Sequence, residues 1–585
     1  MKKLILSLLL CSAFTISNAQ IIVRGVSPAV IANNYDFTWA DPSGGDWACL
    51  DFNVANTSVE DTLMMVDDGS AGTNAQGNPV SAEGCNVLTN NLAGKIAVVY
   101  RNTCEFGTKA LNAQNAGAVG VIIINRDPES IGMGGGVDGP SVTIPVVMLS
   151  SIDGATLVTE MLSGDVVVFM GNKQGKYSND GGSNKASMLI SHYGSVPKTM
   201  ADNGYSFDLG VQISNYGTDT NDFYVVAKID GPSSQIYYDS IPSINMVAGD
   251  TVSIFPGNTT SFAAMSVATW DLGKYTISYE IGIVDTTDDD TFDNVLTSDF
   301  YVTNDVLSLA RQDTNTSMVL ANSYPYNAYT SGMRPCAMIQ DVYPNTSTGV
   351  EGMYFSAYSN KVSGSLDGAY VQAEVLEWDD QWTGINGSWS NITFNVLTQV
   401  GYVDYIFDTS HVNGDVVYAA LSSPLLLVDN QRYLVCLNTF SGTDSVSFGY
   451  DNVLDYAANI SIYDQPVAAL NIDNTWYSGW TSADAATIGL KLAYDVGVIE
   501  DNTHSGVLYP NPANDIVNIS FSDINNFNAN ITIYDIMGKI IKSNTVNNVS
   551  NNINYDVSDL SKGTYIFNIV FEDGKTSNFN VVITR

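Results

Sequence analysis

The sequence predicts a mainly β, multidomain protein, and three observations support this prediction. The chain has 585 residues, more than one hydrophobic core usually organises, so we expect roughly three to five domains. Hydrophobic residues make up 45% of it, an ordinary fraction that allows most of the chain to fold. Charged residues are only 14%, and short apolar runs alternate with turns rich in Gly, Asn and Asp, as in β-rich extracellular proteins.

The charge balance argues against two classes of partner. Lys and Arg total 23 against 61 Asp and Glu, for a formal net charge of −38. Nucleic-acid binding needs clustered Lys and Arg to contact phosphates, and an anionic membrane surface attracts the same residue types. We therefore expect neither partner. The excess of acid suits solubility and, where carboxylates cluster, cations.

Residues 1–19 predict a signal peptide. Lys2 and Lys3 form a basic start, residues 4–14 are apolar, and small residues at 17–19 predict cleavage before Gln20. No later apolar run is long enough to cross a bilayer. We therefore expect an exported protein without a transmembrane segment, either secreted or held on the cell surface.

Residues 20–175 predict a first domain with parallel strands. Residues 94–100 and 119–124 are apolar runs that predict buried strands, and residues 105–118 between them have helical spacing. Two buried strands joined by one helix form a βαβ unit with parallel pairing. A further strand is expected at 143–148, then a helix capped by Ser150 or Ser151, and a closing strand at 166–170.

The stretch EGCNVLTNNLAGKIAVVYRNTCEFGTKALNAQNAGAVGVIIIN, residues 83–125, resembles a protease-associated (PA) domain. The matching residues are Gly94-Lys95-Ile96, Arg101, Cys104-Glu105-Phe106, Lys109-Ala110, the run from Ala113 to Ala118, and Thr143-Ile144-Pro145; Asn102 departs from the glycine common there. The resemblance implies a β-rich fold with flanking helices, without catalytic activity, that binds other proteins and often accompanies secreted peptidases. It also implies a disulfide between Cys85 and Cys104, as in many such domains.

Two all-β regions follow the first domain. Residues 171–185 are polar and glycine-rich, and we expect a linker over 176–185. Residues 186–305 alternate strands and turns over the length of one Ig-like β-sandwich. Residues 306–494 predict a longer, jelly-roll-like β-sandwich, and residues 495–506 a second linker.

The last region, residues 507–585, predicts a small β-sandwich. Alternating apolar residues mark its strands, for example Val517, Ile519 and Phe521. Three motifs resemble the type A C-terminal sorting domain of the type IX secretion system: Tyr509-Pro510-Asn511-Pro512-Ala513, residues 533–539 (IYDIMGK) and residues 560–565 (LSKGTY). The resemblance implies export across the outer membrane by the type IX secretion machinery.

Five cysteines remain after the signal peptide: Cys49, Cys85, Cys104, Cys336 and Cys436. An exported protein meets an oxidising setting, so disulfides are expected, and the absence of CxxC spacing argues against a zinc cluster. Besides Cys85–Cys104, we expect Cys336–Cys436, because the two lie in one domain. The odd count leaves one thiol over, and we expect it to be Cys49.

Two groups of residues are candidates for ligand binding. Asp285, Asp288, Asp290 and Asp293 crowd one turn, and clustered carboxylates suit Ca²⁺, although a solvated acidic turn is the alternative. Five tryptophans lie in the second β region: Trp378, Trp382, Trp389, Trp476 and Trp480. Exposed tryptophans stack on sugars, whereas buried ones fill a sandwich core.

No catalytic motif is evident in the sequence. The chain has three histidines, His192, His411 and His504, and none lies in HExxH; GxSxG is also absent. We therefore predict no catalytic residues and a non-catalytic secreted or cell-surface protein that binds an extracellular protein or glycan. The alternatives are a secreted peptidase, or peptidase accessory subunit, with an unrecognised catalytic unit, and a glycan-binding adhesin.

Overall fold

The computed structural model describes most of the chain after the predicted signal peptide. The described residues are 20–127, 130–323, 333–340, 348–359, 365–378, 397–428, 431–439, 446–463, 467–472, 475–477, 485–493, 504, 506–521, 524–536 and 538–584. Over these residues the protein is mainly β and multidomain, which confirms the predicted fold class. They form two compact units, a large one that reaches Leu492 and a small one formed mainly by Ala493–Arg585.

The first module of the large unit is a seven-stranded sheet with helices on both faces. Its elements are β1 (Ile21–Ser27), β2 (Phe37–Trp39), β3 (Ser58–Met65), β4 (Ile96–Tyr100), α1 (Phe106–Asn115), β5 (Gly120–Ile124), β6 (Val146–Leu149), α2 (Ser151–Met161) and β7 (Val167–Asn172). The strand order is β1-β7-β3-β4-β5-β6-β2. β3, β4, β5 and β6 pair in parallel, so the predicted βαβ unit is confirmed.

Apolar side chains explain how the two helices cover this sheet. Ala110 and Ala113 of α1 are fully buried in the core on one face, and Leu157 of α2 is buried in the core on the other. Parallel strands covered on both faces are apolar throughout, as β4 and β5 are. Ser150 caps α2, because its hydroxyl accepts a hydrogen bond from the Asp153 amide at 2.9 Å.

The cysteines are arranged as the sequence predicts. Disulfides join Cys85 to Cys104 and Cys336 to Cys436, and Cys49 is a free, buried thiol. Burial and, second, the charge of Asp46 raise the pKa of Cys49 to about 12. The thiol therefore stays protonated and unreactive at neutral pH.

The second module has two packed sheets. Its elements are β8 (Gly181–Gly182), β9 (Ser195–Pro197), α3 (Lys198–Asp202), β10 (Val211–Asn215), β11 (Asn221–Asp230), β12 (Gln235–Met246), β13 (Thr251–Ile254), β14 (Gly273–Ile283) and β15 (Val295–Thr303). β8 pairs with β10 and its two glycines are buried. Part of the predicted linker 176–185 thus forms a strand of the second module. Glycine here lets the backbone approach closely, since a Cβ on Gly181 would lie 2.0 Å from the Phe223 ring.

The third module continues the main sheet of the second. Its elements are β16 (Val306–Ser308), β17 (Met333–Gln340), β18 (Gly349–Ser359), β19 (Tyr370–Trp378), β20 (Leu397–Ile406), β21 (Val416–Leu426), β22 (Arg432–Asn438), β23 (Val446–Phe448), β24 (Tyr450–Asp451), α4 (Ala457–Tyr463), β25 (Leu470–Ile472), β26 (Thr475–Tyr477), β27 (Ala485–Ala486) and β28 (Ile488–Ala493). One sheet runs β12-β11-β14-β15-β9-β16-β28-β18-β21. The predicted boundary between residues 305 and 306 is thus crossed by strand pairing, which satisfies edges that two separate sandwiches would leave open.

The small unit is a sandwich of a three-stranded and a four-stranded sheet. Its strands are β29 (Gly506–Tyr509), β30 (Ile516–Phe521), β31 (Phe527–Asp535), β32 (Ile540–Val549), β33 (Asn552–Asp556), β34 (Gly563–Phe571) and β35 (Thr576–Ile583). The alternating residues Val517, Ile519 and Phe521 are buried in one core, as predicted. Of the predicted linker 495–506, only residues 504 and 506 are described. No helix in the described parts of the chain has the length and hydropathy needed to span a bilayer.

Candidate functional site

A cleft lies in the first module where two parallel strands end. Arg101 and Asn102 follow β4, Arg126 follows β5, and Glu105 and Phe106 begin α1. These side chains, together with Cys104, Gly134 and Gly136, line a cavity of about 410 Å³, which we call the Arg101 cleft. In open α/β sheets, ligands bind beyond the carboxyl ends of the strands, because loops there leave a crevice.

The charges of the Arg101 cleft are held in place by neighbouring side chains. Arg101 donates from Nη1 to Asn125 Oδ1 at 2.7 Å and to Asp127 Oδ2 at 3.1 Å, and its guanidinium carbon lies 5.9 Å from the Phe106 ring centre. Arg126 is the more open cation, with 42% of its side chain exposed, and its Nε lies 3.7 Å from Asp127. The cleft therefore offers one fixed and one accessible guanidinium.

A buried polar network supports the loop that carries Asn102. Glu83 is fully buried and accepts hydrogen bonds from Asn102 Nδ2 at 3.0 Å and from Thr103 Oγ1 at 2.7 Å. Burial acts to raise the pKa of Glu83, but hydrogen bonds from Thr103, Asn74 and Asn102 outweigh it and lower the pKa. Lys109, also fully buried, donates to the Glu83 carbonyl at 2.8 Å. The sequence motif contains Lys109 but gives no local sign of Glu83 as its partner.

A glycine-rich loop, residues 132–139, forms the other wall of the Arg101 cleft. Gly135 donates its amide to Asp46 Oδ2 at 2.7 Å, and Val137 donates its amide to Glu105 Oε2 at 3.1 Å. Gly107 in α1 permits this packing, because a Cβ there would lie 2.0 Å from the Gly135 carbonyl oxygen. The loop is therefore fixed against the start of α1.

The predicted calcium residues do not form one site. Asp285 is exposed, and Asp288 is half-buried and accepts hydrogen bonds from Gly181 N at 3.0 Å and from Asn294 Nδ2 at 3.1 Å. Asp290 and Asp293 are buried and join Asp180, with one carboxylate oxygen of each within 4.8 Å of the others. We call Asp180, Asp290 and Asp293 the acid cluster.

A lysine ammonium lies among the three carboxylates of the acid cluster. Lys173 Nζ donates to Asp180 Oδ1 at 2.8 Å, to Asp293 Oδ1 at 2.9 Å and to Asp290 Oδ2 at 3.1 Å. Arg24 binds both oxygens of Asp290, at 2.7 and 3.0 Å. The sequence places Lys173 in a polar stretch, like any surface lysine, and gives no sign of this role. An ammonium thus lies where two of the predicted calcium residues, Asp290 and Asp293, come together with Asp180.

The acid cluster joins the first module to the second. Burial acts to lower the pKa of Lys173, but the three carboxylates outweigh it and raise the pKa. Burial also acts to raise the pKa of Asp290, yet hydrogen bonds and charge from Arg24 and Lys173 lower it to about 2. For Asp180, burial exceeds the attraction of Lys173, and its pKa rises to about 7. Burial also raises the pKa of Asp293, so Asp180 and Asp293 are both less readily ionised than an ordinary aspartate, whereas Asp290 is more readily ionised.

The tryptophans of the predicted ligand site divide into two groups. Trp378 and Trp476 are 1% and 4% exposed, and both pack in the core around the Cys336–Cys436 disulfide. Both rings therefore fill the core, as the alternative interpretation of these tryptophans predicts, and neither presents an exposed face to a sugar. Trp382, Trp389 and Trp480 lie outside the described residues.

A second cavity, of about 340 Å³, lies between the second and third modules. Aromatic rings dominate its wall, namely those of His192, Tyr193, Tyr205, Tyr456 and Tyr463. The His192 and Tyr463 ring centres are 5.4 Å apart, and Tyr463 donates its hydroxyl to Asp208 at 3.0 Å. Burial lowers the pKa of His192. The cavity is thus an aromatic pocket beside a neutral imidazole.

The other two histidines are each paired with an aspartate. His411 Nδ1 lies 2.9 Å from Asp408 Oδ1, and its Nε2 lies 3.2 Å from the Tyr405 hydroxyl. His504 Nε2 lies 2.8 Å from Asp573 Oδ2. His411 is in an exposed turn of the third module, and His504 belongs to the small unit.

Family models match the chain in two places, a PA domain over residues 54–157 and a secretion system C-terminal sorting domain over residues 507–583. Among curated relatives, leucine aminopeptidase 2 of Arthroderma otae is 33% identical over 159 residues, which is 25% of this chain and 29% of that protein. ER degradation-enhancing alpha-mannosidase-like protein 3 of Homo sapiens is 38% identical over 87 residues, 13% of this chain and 9% of that protein. The matched part of the chain spans less than a third of the length of each of these relatives.

Solved structures give weaker likenesses. A zinc aminopeptidase from Bacillus subtilis aligns over 30% of this chain and 37% of its own, at 20% identity and a TM-score of 0.17. The BSP domain of a biofilm associated protein aligns over 69% of this chain and 83% of its own, at 12% identity and a TM-score of 0.15. The residue motifs and the two family models agree, and on them this is a secreted or cell-surface protein with a PA domain in its first module and a type IX secretion system sorting domain over residues 507–583.

Proposed function

We propose that this chain is a non-catalytic binding protein whose PA domain holds an extracellular protein at the Arg101 cleft. The observation that carries this proposal is the pair of guanidinium groups at the carboxyl ends of β4 and β5, beside a glycine-rich wall. Arginine is scarce in this chain, which has 61 acidic residues. Two arginines in one concave site therefore depart from the negative charge of the rest of the chain.

The chemistry of the Arg101 cleft favours an acidic segment of the partner. A guanidinium binds a carboxylate through two parallel hydrogen bonds, and such charge-assisted bonds are stronger than neutral ones. Arg126 is accessible, whereas Arg101 is held by Asn125 and Asp127. Arg126 is therefore the residue that contacts the partner's carboxylate, and Arg101 shapes the cleft behind it.

Reversing the charge at Arg126 tests this proposal. We expect the Arg126→Glu variant to bind its partner at least about tenfold more weakly, since a hydrogen bond to a charged group contributes roughly 1.5–3 kcal/mol. The measurement is cross-linked capture of partners from the culture medium by the mature chain, with mass-spectrometric identification and then titration of the captured protein.

Lys274→Glu is the matched control, because it reverses an exposed charge in the second module, where the side chain is 51% exposed and pairs with Asp299. It should leave the affinity unchanged. Equal binding by the original chain and by both variants contradicts the assignment of the Arg101 cleft.

A peptidase, or a peptidase accessory subunit, is the second candidate, because the relatives of this chain include proteins named leucine aminopeptidase 2. We expect no hydrolysis of casein by the purified mature chain. Amide hydrolysis needs an activated nucleophile or a metal-bound water, and His411 and His504 are paired with aspartates in different units. Cleavage by metal-replete protein that one substitution in residues 306–495 abolishes overturns this expectation.

Glycan binding is favoured by one observation only, the aromatic cavity between the second and third modules. Aromatic faces stack on sugar rings and their polar edges bind hydroxyls. A glycan array probed with residues 20–500 tests this alternative beside the casein assay.

A further inference from the structure

The aromatic cavity between the second and third modules has a deep wall and a mouth. Tyr193, Tyr205 and Tyr456 form the deep wall, where they are 7%, 2% and 0% exposed. His192 and Tyr463 are half-buried and form the mouth, and their ring planes are inclined by 54°. The volume of about 340 Å³ is at the small end of the range for ligand sites, about 300–1,000 Å³. The cavity therefore admits a compact ligand rather than an extended chain.

Hydrogen bonds between the two modules hold the cavity in shape. The buried Asn459 side chain of α4 donates to the Ile190 carbonyl at 2.9 Å and accepts from the Ile190 amide at 3.1 Å. The Tyr193 hydroxyl donates to the Gln340 carbonyl and accepts from the Gln340 amide, both at 3.0 Å. A preformed cavity loses little conformational entropy when a ligand binds, so these contacts favour binding.

The described residues that line the cavity carry no formal charge at neutral pH. His192 is the one among them that titrates near neutrality, and burial, which outweighs the attraction of Asp208, lowers its pKa. Asp208 is outside the lining and accepts a hydrogen bond from the Tyr463 hydroxyl at 3.0 Å. A charged group of a ligand would be buried here without a counter-charge, which is costly. The cavity therefore favours a neutral ligand.

Two polar side chains at the mouth are available to a ligand. Among the described residues, neither ring nitrogen of His192 has a hydrogen-bond partner. A neutral imidazole offers one donor and one acceptor. Ser206 also lines the cavity and is exposed. An apolar ligand would leave the imidazole unpaired, whereas hydroxyl groups satisfy both of its nitrogens.

We propose that this cavity binds the terminal ring of an uncharged glycan. A sugar ring has a face of C–H groups that packs on an aromatic ring, and hydroxyl groups at its edge. Tyr463 provides the aromatic face, His192 binds hydroxyl groups, and Ser206 borders the entrance. The Arg101 cleft is in a different module, so glycan binding here and protein binding there can each fail without the other.

Saturation-transfer NMR on the mature full chain is the first test. The probes are the methyl glycosides of glucose, galactose, mannose and N-acetylglucosamine, with glucuronic and galacturonic acids as the charged comparisons. We expect transfer to the ring C–H protons of at least one neutral probe and less transfer to the two acids. No transfer to any neutral probe, or stronger transfer to an acid, overturns the proposal.

Substitutions at the mouth are the second test. His192→Phe keeps an aromatic ring and removes both nitrogens, and Tyr463→Leu removes the stacking face. We expect each to weaken binding of the best neutral probe by about three- to tenfold, which is what one hydrogen bond or one aromatic contact contributes. Tyr238→Leu is the matched control, because Tyr238 is a 58% exposed tyrosine of β12. It should leave the affinity unchanged.

Ser206→Trp tests the entrance without changing the buried wall. Because Ser206 is exposed, the fold tolerates an indole there, and the indole covers the mouth. We expect the Tm of the chain to be retained and the saturation transfer to be lost. Unchanged affinity in the folded Ser206→Trp variant, or an equal loss in the Tyr238→Leu control, overturns the proposal.

Discussion

Removal of residues 507–585 will leave the protein in the periplasm. The small unit carries the sorting domain and has its own core, which includes Ile531, Phe567 and Ile569. Because the cores of the large unit are built from other residues, the truncated chain is expected to fold. The truncated chain lacks the sorting signal that the type IX secretion machinery needs.

The measurement is the distribution of the protein between periplasm and medium. A reporter that normally stays in the periplasm, fused to residues 507–585, is the reciprocal experiment and should be exported. Circular dichroism and protease resistance of the truncated chain show whether it is folded. Undiminished secretion of a folded truncated chain contradicts the prediction.

Substitution of Lys173 by methionine will destabilise the large unit more than any surface change. The methionine keeps most of the side-chain volume but leaves three buried carboxylates with Arg24 alone. Removing one partner of a buried ion pair costs about 3–5 kcal/mol, because the remaining charge is uncompensated. The free energy of unfolding in urea, followed by protease susceptibility between residues 172 and 181, measures the loss.

Lys176→Met is the matched control. Lys176 lies three residues away and pairs with Glu60 at the surface, where its side chain is 25% exposed and that of Glu60 39%. Such a pair contributes about 0–1 kcal/mol. Adding Asp180→Asn to Lys173→Met should recover part of the stability, because it removes one uncompensated carboxylate. Equal losses for the two methionine variants, with no recovery by Asp180→Asn, contradict the role of the acid cluster.

Features that depend on short stretches of sequence were predictable. The βαβ unit follows from two apolar runs and a helical period, and its strands pair in parallel as expected. The resemblance to PA domains predicted the Cys85–Cys104 disulfide. The Cys336–Cys436 disulfide was predicted because both cysteines lie in one domain of an exported protein. The sorting domain was equally evident, because three motifs occur in order within 79 residues, 507–585.

The Arg101 cleft was only partly accessible to sequence reasoning. Arg101 and Glu105 belong to the motifs of the PA domain. Arg126 has no such signal, because it reaches the cleft only through the adjacency of β4 and β5. Glu83 supports the cleft because it accepts a hydrogen bond from Asn102, although the two residues are 19 positions apart in the sequence.

The sequence by itself determined that this protein has a PA domain near its start and a sorting domain at its end, how its cysteines pair, and that its charge is strongly negative. Tertiary structure decided the connections between the modules. Lys173 meets Asp293 across 120 residues, β15 and β16 both pair with β9, and Trp378 is enclosed by strands distant in sequence. The physical reason is that periodicity and motifs record local backbone preference, whereas charge compensation and burial depend on which distant residues the packed sheets bring together.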